Sequence, residues 1–233
     1  MTETDHKPVS GTIELISIHI PKTGGRSFLE VLKQVYGNAL DIRHEREHFF
    51  PDGRFSQIND EIFPGHIRGI HAHLSVSQLM PVIEKHDPRV ITWLRDPVER
   101  VISNYYFFMK RLRTGNANER QLRKKNYTLL EYAKEGKKNN RMDAFLEGME
   151  LHDFFFIGIL ERFEADMEEL ITKMEWPQTN SFSHVNSNAG FKHNNDCKTQ
   201  YSDIDDEMRH ELALLNDLDI KLYNDVKKMR GIE

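Results

Sequence analysis

Two periods of apolar positions alternate along this chain. Residues 13–20, IELISIHI, make a β-branched, mostly apolar run of strand length. Residues 27–36 follow in helical phase, and Gly37-Asn38 stops them. The order then repeats. Residues 39–42 read as a short strand, 69–74 as another, and 75–85 as a helix with Ser75 as cap and Val76, Leu79, Val82 and Ile83 on one face. Residues 89–95, RVITWLR, are β-branched and aromatic, and Asp96-Pro97 opens a long helix running to about Arg113. Beyond it, 128–137 and 141–149 read as short helices, and 154–160, FFFIGIL, as a strand. Residues 162–174 are helical with Phe163, Met167, Leu170 and Ile171 in phase, and 203–229 predict a helix bent near 216–219. The intervening stretches are polar or turn-rich: 44–66, 114–126 and the long segment 176–201.

Strands alternating with helices predict an α/β fold, a central parallel β-sheet flanked by helices. Ligands of such sheets sit beyond the carboxyl ends of the strands, so the turns after Ile20 and after Leu94 are expected to meet in space. Residues 1–11 read as a flexible N-terminal tail and 12–233 as a single domain, a length that one core can serve. Hydrophobic residues make up 38% and charged residues 30%, with a net charge of −5, so a soluble chain is expected and nucleic acid is not the favoured partner. The single cysteine, Cys197, allows no intrachain disulfide and fits a reducing compartment. No apolar run approaches the roughly 18 residues of a membrane span, and MTETDHKPVSGT lacks the apolar centre of a signal peptide. The expectation is a cytoplasmic protein without stable membrane insertion, or else a catalytic domain cut from a longer chain. Self-association is neither required nor excluded.

The segment PKTGGRSF, residues 21–28, joins the first strand to the first helix. Gly24 and Gly25 let backbone amides converge on an anion, and the helix adds its unpaired N–H groups and positive dipole end. Thr23 and Ser27 offer hydroxyls, and Lys22 and Arg26 offer charge. A nucleotide-triphosphate P-loop needs G-x-x-x-x-G-K-[ST]; here the lysine precedes the glycines and Arg26 stands before Ser27. The plainer reading is a tight strand-to-helix turn with solvated charges. A second cluster is LRDPVERVISNYY, residues 94–106. Arg95 ends a strand with a planar fork suited to phosphate, and Ser103 lies two turns along the next helix. Arg100 either joins them or pairs with Asp96; taken alone, this segment is equally an ordinary helix start.

Together the two segments resemble the sulfotransferases that use 3′-phosphoadenylyl sulfate (PAPS), and within them the carbohydrate enzymes that include heparan sulfate 2-O-sulfotransferase. PKTGGRSF is similar to that family's 5′-phosphosulfate loop, LRDPVERVISNYY to its 3′-phosphate motif, and FFFIGILERFEADMEEL to a later strand–helix element. The resemblance implies a P-loop-kinase-like sulfotransferase fold. It implies that Lys22 contacts the sulfuryl group and its bridging oxygen, and that Thr23, Gly24, Gly25, Arg26, Ser27 and Phe28 cradle the 5′-phosphosulfate. Arg95 and Ser103 would hold the 3′-phosphate. Ser183, Asn186 and Ser187, in the 176–201 segment, resemble a nucleotide-contacting stretch. Adenosine 3′,5′-bisphosphate (PAP) would be the product, and no metal is implied.

Transfer to a hydroxyl also needs a base. GIHAHL, residues 69–74, puts His71 and His73 on one strand face, and histidine has a suitable intrinsic pKa. The resemblance favours His73, with His71 beside it; His66 and Glu30 are fallbacks, and a metal pair or a chance surface feature is the plainer reading among twelve histidines. For the acceptor, the resemblance points to a saccharide or polysaccharide met by basic residues after the second cluster, among them Arg111 and Arg113, with 120–125 (RQLRKK) beyond; a solvated loop explains the same charges. The lone cysteine and the lack of an anchor favour a bacterial or otherwise cytosolic enzyme. The competing readings are a nucleoside-triphosphate kinase and a non-catalytic nucleotide-binding module.

Overall fold

The computed structural model describes residues 11–43, 63–117, 122–135, 139–177, 199 and 201–232. Five strands form one sheet: β1 (Leu15–Ile18), β2 (Leu40–Arg43), β3 (Gly69–Ala72), β4 (Arg89–Leu94) and β5 (Phe156–Ile159). Their order is β2-β3-β1-β4-β5, and every pairing is parallel. β1 therefore sits in the middle, with Ser17 beside His71 on one side and Ile91 on the other.

Eight α-helices are described: α1 (Gly25–Tyr36), α2 (Val76–His86), α3 (Pro97–Arg113), α4 (Leu129–Lys134), α5 (Arg141–Leu146), α6 (Phe163–Met174), α7 (Asp206–Leu214) and α8 (Asp217–Met229). Side-chain parity assigns the layers. Ile16 and Ile18 of β1, Ile70 and Ala72 of β3 and Val90 of β4 point to one face, where α2, α5 and α8 cover them. Leu15, Ile91, Trp93 and Phe156 point to the other, against α1 and α6. Buried Ile or Phe side chains of this kind each contribute about 1.5–3 kcal/mol. A third cluster, around Val101, Tyr105 and Phe108 of α3, packs with α4 and α7.

Local chemistry explains the ends. Ser75 and Gln78 form a capping box on α2, and Asp96 accepts from the Glu99 amide (2.9 Å) with Pro97 opening α3. The expected long terminal helix is two helices. The break is at Asn216, fully buried, whose side chain donates to the Leu212 carbonyl (2.7 Å) and accepts from the Asn140 amide (3.2 Å). Residues 1–10, 44–62 and 178–198 lie outside the described residues, so the tail and most of the long polar segment have no structural account. No described helix is long and apolar enough to cross a membrane.

Candidate functional site

The chain leaves β1, passes through buried His19 and Ile20, and turns over residues 21–24 into α1. Two residues of this turn have left-handed backbone: Lys22 at φ 76° and Gly24 at φ 93°. For lysine that conformation costs about 1–2 kcal/mol, so the surroundings must hold it. They do so through four hydrogen bonds. The Thr23 hydroxyl donates to the Ile20 carbonyl (2.9 Å), Arg95 Nη1 donates to the Lys22 carbonyl (3.4 Å), and the Ser27 and Phe28 amides donate to the Gly24 carbonyl (2.9 and 3.2 Å). Glycine is required at 24 twice over, because a Cβ there would also stand 2.6 Å from Leu160 Cδ1.

Lys22 is the electrostatic centre of the turn. Its ammonium lies 4.6 Å from the centroid of the Phe107 ring on α3. Burial, with Arg95, Arg26 and Lys110 nearby, lowers its pKa from 10.5 to about 8. Four cations thus gather around one turn, an arrangement that an anion would relieve. Tyr105, Tyr106 and Phe108 of α3 are buried, whereas Phe107 is only half-buried and lies under Lys22. Helical spacing accounts for this: Ser103, Phe107 and Lys110 follow one another at i, i+4 and i+7 on one helix face.

The two predicted clusters do meet. Arg95 follows β4, and its side chain is mostly buried beside the Lys22 turn. Its Nε is buried and has no hydrogen-bond partner among the described residues. Glu99 (3.9 Å) and Glu161 (4.0 Å) face it at the outer limit of ion pairing. Burial lowers the Arg95 pKa, while Glu161 and Glu99 oppose the shift. Ser103 is buried on α3. Arg100 bonds Asp96 through the backbone, its amide donating to the Asp96 carbonyl (2.8 Å). It turns into the interior, with Nη2 3.4 Å from Asp219 Oδ2 and 3.4 Å from Asn216 Oδ1.

The histidines form a stack that sequence reasoning only half saw. His71 and His73 share the α1 face of the sheet, and between them and the turn stands His19. Ring centroids are 4.7 Å apart for His19–His71 and 4.1 Å for His19–His73. His71 is fully buried and its Nδ1 shares a 2.8 Å hydrogen bond with Ser17 Oγ; His73 is half-buried at the strand's end. Gly25 is what admits His19, since a Cβ there would stand 2.0 Å from the imidazole. Among the described residues, no group of three or more His, Cys, Asp or Glu could hold a metal ion. His19 was missed because it reads as the end of an apolar strand, yet its odd parity with Ser17 marks it as facing α1.

The remaining predicted residues are dispersed. Arg26 is exposed in the first turn of α1, and Ser27 is buried there. Phe28 is fully buried, its ring 5.6 Å from Trp93 and stacked 6.5 Å from Trp176, so its side chain anchors α1 to the sheet. Arg111 folds back on the Asn116 carbonyl (Nη2, 2.9 Å), and Arg113 is exposed at the end of α3. His66 and Glu30 are exposed. Ser183, Asn186 and Ser187 lie outside the described residues.

Chemically, the carboxyl edge of β1, β3 and β4 offers cations for an anion and imidazoles for a proton. No curated protein matches the sequence. Among solved structures, the chain is similar to a mouse sulfotransferase, SULT7A1, complexed with PAP, at 14% identity and a TM-score of 0.46 over 75% of this chain. The match spans 62% of that protein's chain. The family model for the sulfotransferase family matches residues 5–224, a span that takes in all five strands, the Lys22 turn, Arg95 and the histidine stack, and the chain belongs to that family.

Proposed function

We propose that the protein transfers a sulfuryl group from PAPS to a hydroxyl of a saccharide. The observation that carries this reading is the meeting of two cationic clusters at the sheet's carboxyl edge: the Lys22 turn and Arg95, with Arg95 Nη1 bonded to the Lys22 carbonyl (3.4 Å). Family membership supports the reaction class.

The residues present fit such a donor. A turn with crowded cations, two glycines and a helix N-terminus suits a phosphosulfate. Arg95, whose buried Nε has no hydrogen-bond partner among the described residues, suits a second phosphate. When bound, the donor supplies an electrophilic sulfur and a phosphate leaving group. Thr23 closes the turn by bonding Ile20. Gly24, Gly25, Arg26 and Ser27 line the cradle, Phe28 holds it down, and Ser103 adds a hydroxyl from α3 for the same phosphate as Arg95. Lys22 Nζ meets the negative charge that develops on the leaving phosphate oxygen. His73, the less buried of the β3 pair, takes the acceptor's proton. His71, locked by Ser17, backs it. Arg111 and Arg113 face an anionic acceptor.

The experiment is calorimetric titration with PAP beside 5′-AMP and beside ATP with magnesium, followed by transfer from PAPS to a panel of saccharides. Preferential binding of PAP is the expected result. Preference for magnesium-ATP refutes the reading in favour of a kinase, and PAP binding without transfer to any hydroxyl leaves a nucleotide-binding module.

A further inference from the structure

Between the two cationic clusters lies a short turn that the chemistry above does not use: Leu160–Arg162, joining β5 to α6. Successive residues of it touch successive clusters. The Leu160 side chain lies against Gly24, where an added Cβ would meet Leu160 Cδ1 at 2.6 Å. Glu161 reaches the other cluster. Its Oε1 accepts from the Asp96 amide (3.0 Å) and stands 4.0 Å from Arg95 Nε. Its Oε2 accepts from the Tyr223 hydroxyl on α8 (3.1 Å). Both oxygens are thus fastened, one to the backbone that follows Arg95 and one to a helix on the opposite layer.

This fastening has a consequence for Arg95. At 4.0 Å the carboxylate orients the guanidinium without closing a tight pair on it, and Nε stays without a hydrogen-bond partner among the described residues. The competing carboxylate, Glu99, is engaged by Arg209 at 2.8 Å. A doubly charged phosphate would therefore displace neither acid from its own anchor when it takes Arg95.

We infer that Glu161 is a positioning residue for Arg95: it holds the 95–96 backbone and so sets the reach between Arg95 and the Lys22 turn that selects a nucleotide phosphorylated at both 3′ and 5′ over one phosphorylated at 5′ alone. The inference rests on the proposed reading of the site as a PAP holder.

The test is the ratio of affinities for PAP and 5′-AMP in the full chain, measured by calorimetry. Wild type prefers PAP. Glu161→Ala lowers that preference by about tenfold or more, the value of one charge-assisted hydrogen bond, while 5′-AMP affinity stays within about twofold. Glu161→Gln keeps an acceptor for the Asp96 amide and a partner for Tyr223, and retains the preference. An unchanged ratio in Glu161→Ala overturns the inference, as does an equal loss for both nucleotides. A fall in Glu161→Gln as large as in Glu161→Ala assigns the effect to charge and overturns the positional role. Should Glu161→Ala fail to fold, Tyr223→Phe frees Oε2 alone; the ratio then falls partway, and a wild-type ratio there overturns the inference. Wild type without any preference for PAP refutes the donor reading itself, a result distinguishable from each of these.

Discussion

Raising the pH from 7 to 9 perturbs one cation of the candidate site more than any other. Burial and neighbouring positive charge bring Lys22 to a pKa of about 8, whereas an exposed lysine titrates near 10.5. Wherever a phosphate-bearing ligand binds beside it, the ammonium is favoured and the bound pKa rises. The sign follows: ligand binding takes up a proton above pH 8, so affinity falls as pH rises through that value. Association is divided by 1 + 10^(pH − 8) while the bound form keeps its proton, which gives about 1.1 at pH 7 and about 11 at pH 9, a loss of about tenfold. Proton uptake at pH 8 is about half a proton per site. The assay is calorimetric titration of PAP at pH 7, 8 and 9, in two buffers of different ionisation enthalpy. Lys22→Met is the control, because it keeps the stem over Phe107 and removes the charge. It should bind more weakly at pH 7 and show no tenfold decline. Wild-type affinity that stays flat across this range refutes the reasoning, and so does the same decline in Lys22→Met.

The other expectations concern the histidines and the core. His73→Ala should reduce transfer from PAPS by about 10²–10⁴-fold, the usual worth of a general base, with PAP affinity unchanged in calorimetry; loss in His71→Ala alone would move the role one strand repeat inward. Gly25→Ala places a Cβ 2.0 Å from the His19 ring, and should cost about 1–3 kcal/mol in urea unfolding as well as most of the turnover. Asp219→Ala leaves the fully buried Arg100 guanidinium without its counter-ion, and should cost about 3–5 kcal/mol by the same assay.

Most of the sheet was legible in the sequence because its strands are parallel, buried on both faces and bounded by capping residues. β4 and α3 appear where RVITWLRDP predicts them, and Asp96 caps the helix as its identity suggests. The two cationic segments meet because strand order puts β1 beside β4, which follows from the α/β rule rather than from any local pattern. What stayed hidden depends on contacts distant in sequence. The break near 216–219 was expected, but the bonds of Asn216 to Arg100 and Asn140 that make it were not, since no periodicity in the 203–229 segment encodes them. Position left Arg100 open between the phosphate cluster and Asp96, whereas Asp219 reaches it from α8. His19 was overlooked because a histidine ending an apolar strand reads as an ordinary core residue, and only the pairing of β1 with β3 brings it beside His71 and His73.

The Arg100–Asp219 pair also bears on how the chain is made. Asn216, the other partner of Arg100, lies 116 residues further along. At ribosomal speeds that interval is on the order of ten seconds. For that time α3 exists with its arginine but without Asp219 and Asn216, two of the groups that meet it once buried, and burying a guanidinium before such partners are in place costs several kcal/mol. Vectorial synthesis therefore keeps α3 from seating before the C-terminal helices emerge. Because Arg95 and Ser103 bracket Arg100 in the chain, the candidate site would be completed only after α8 has been made.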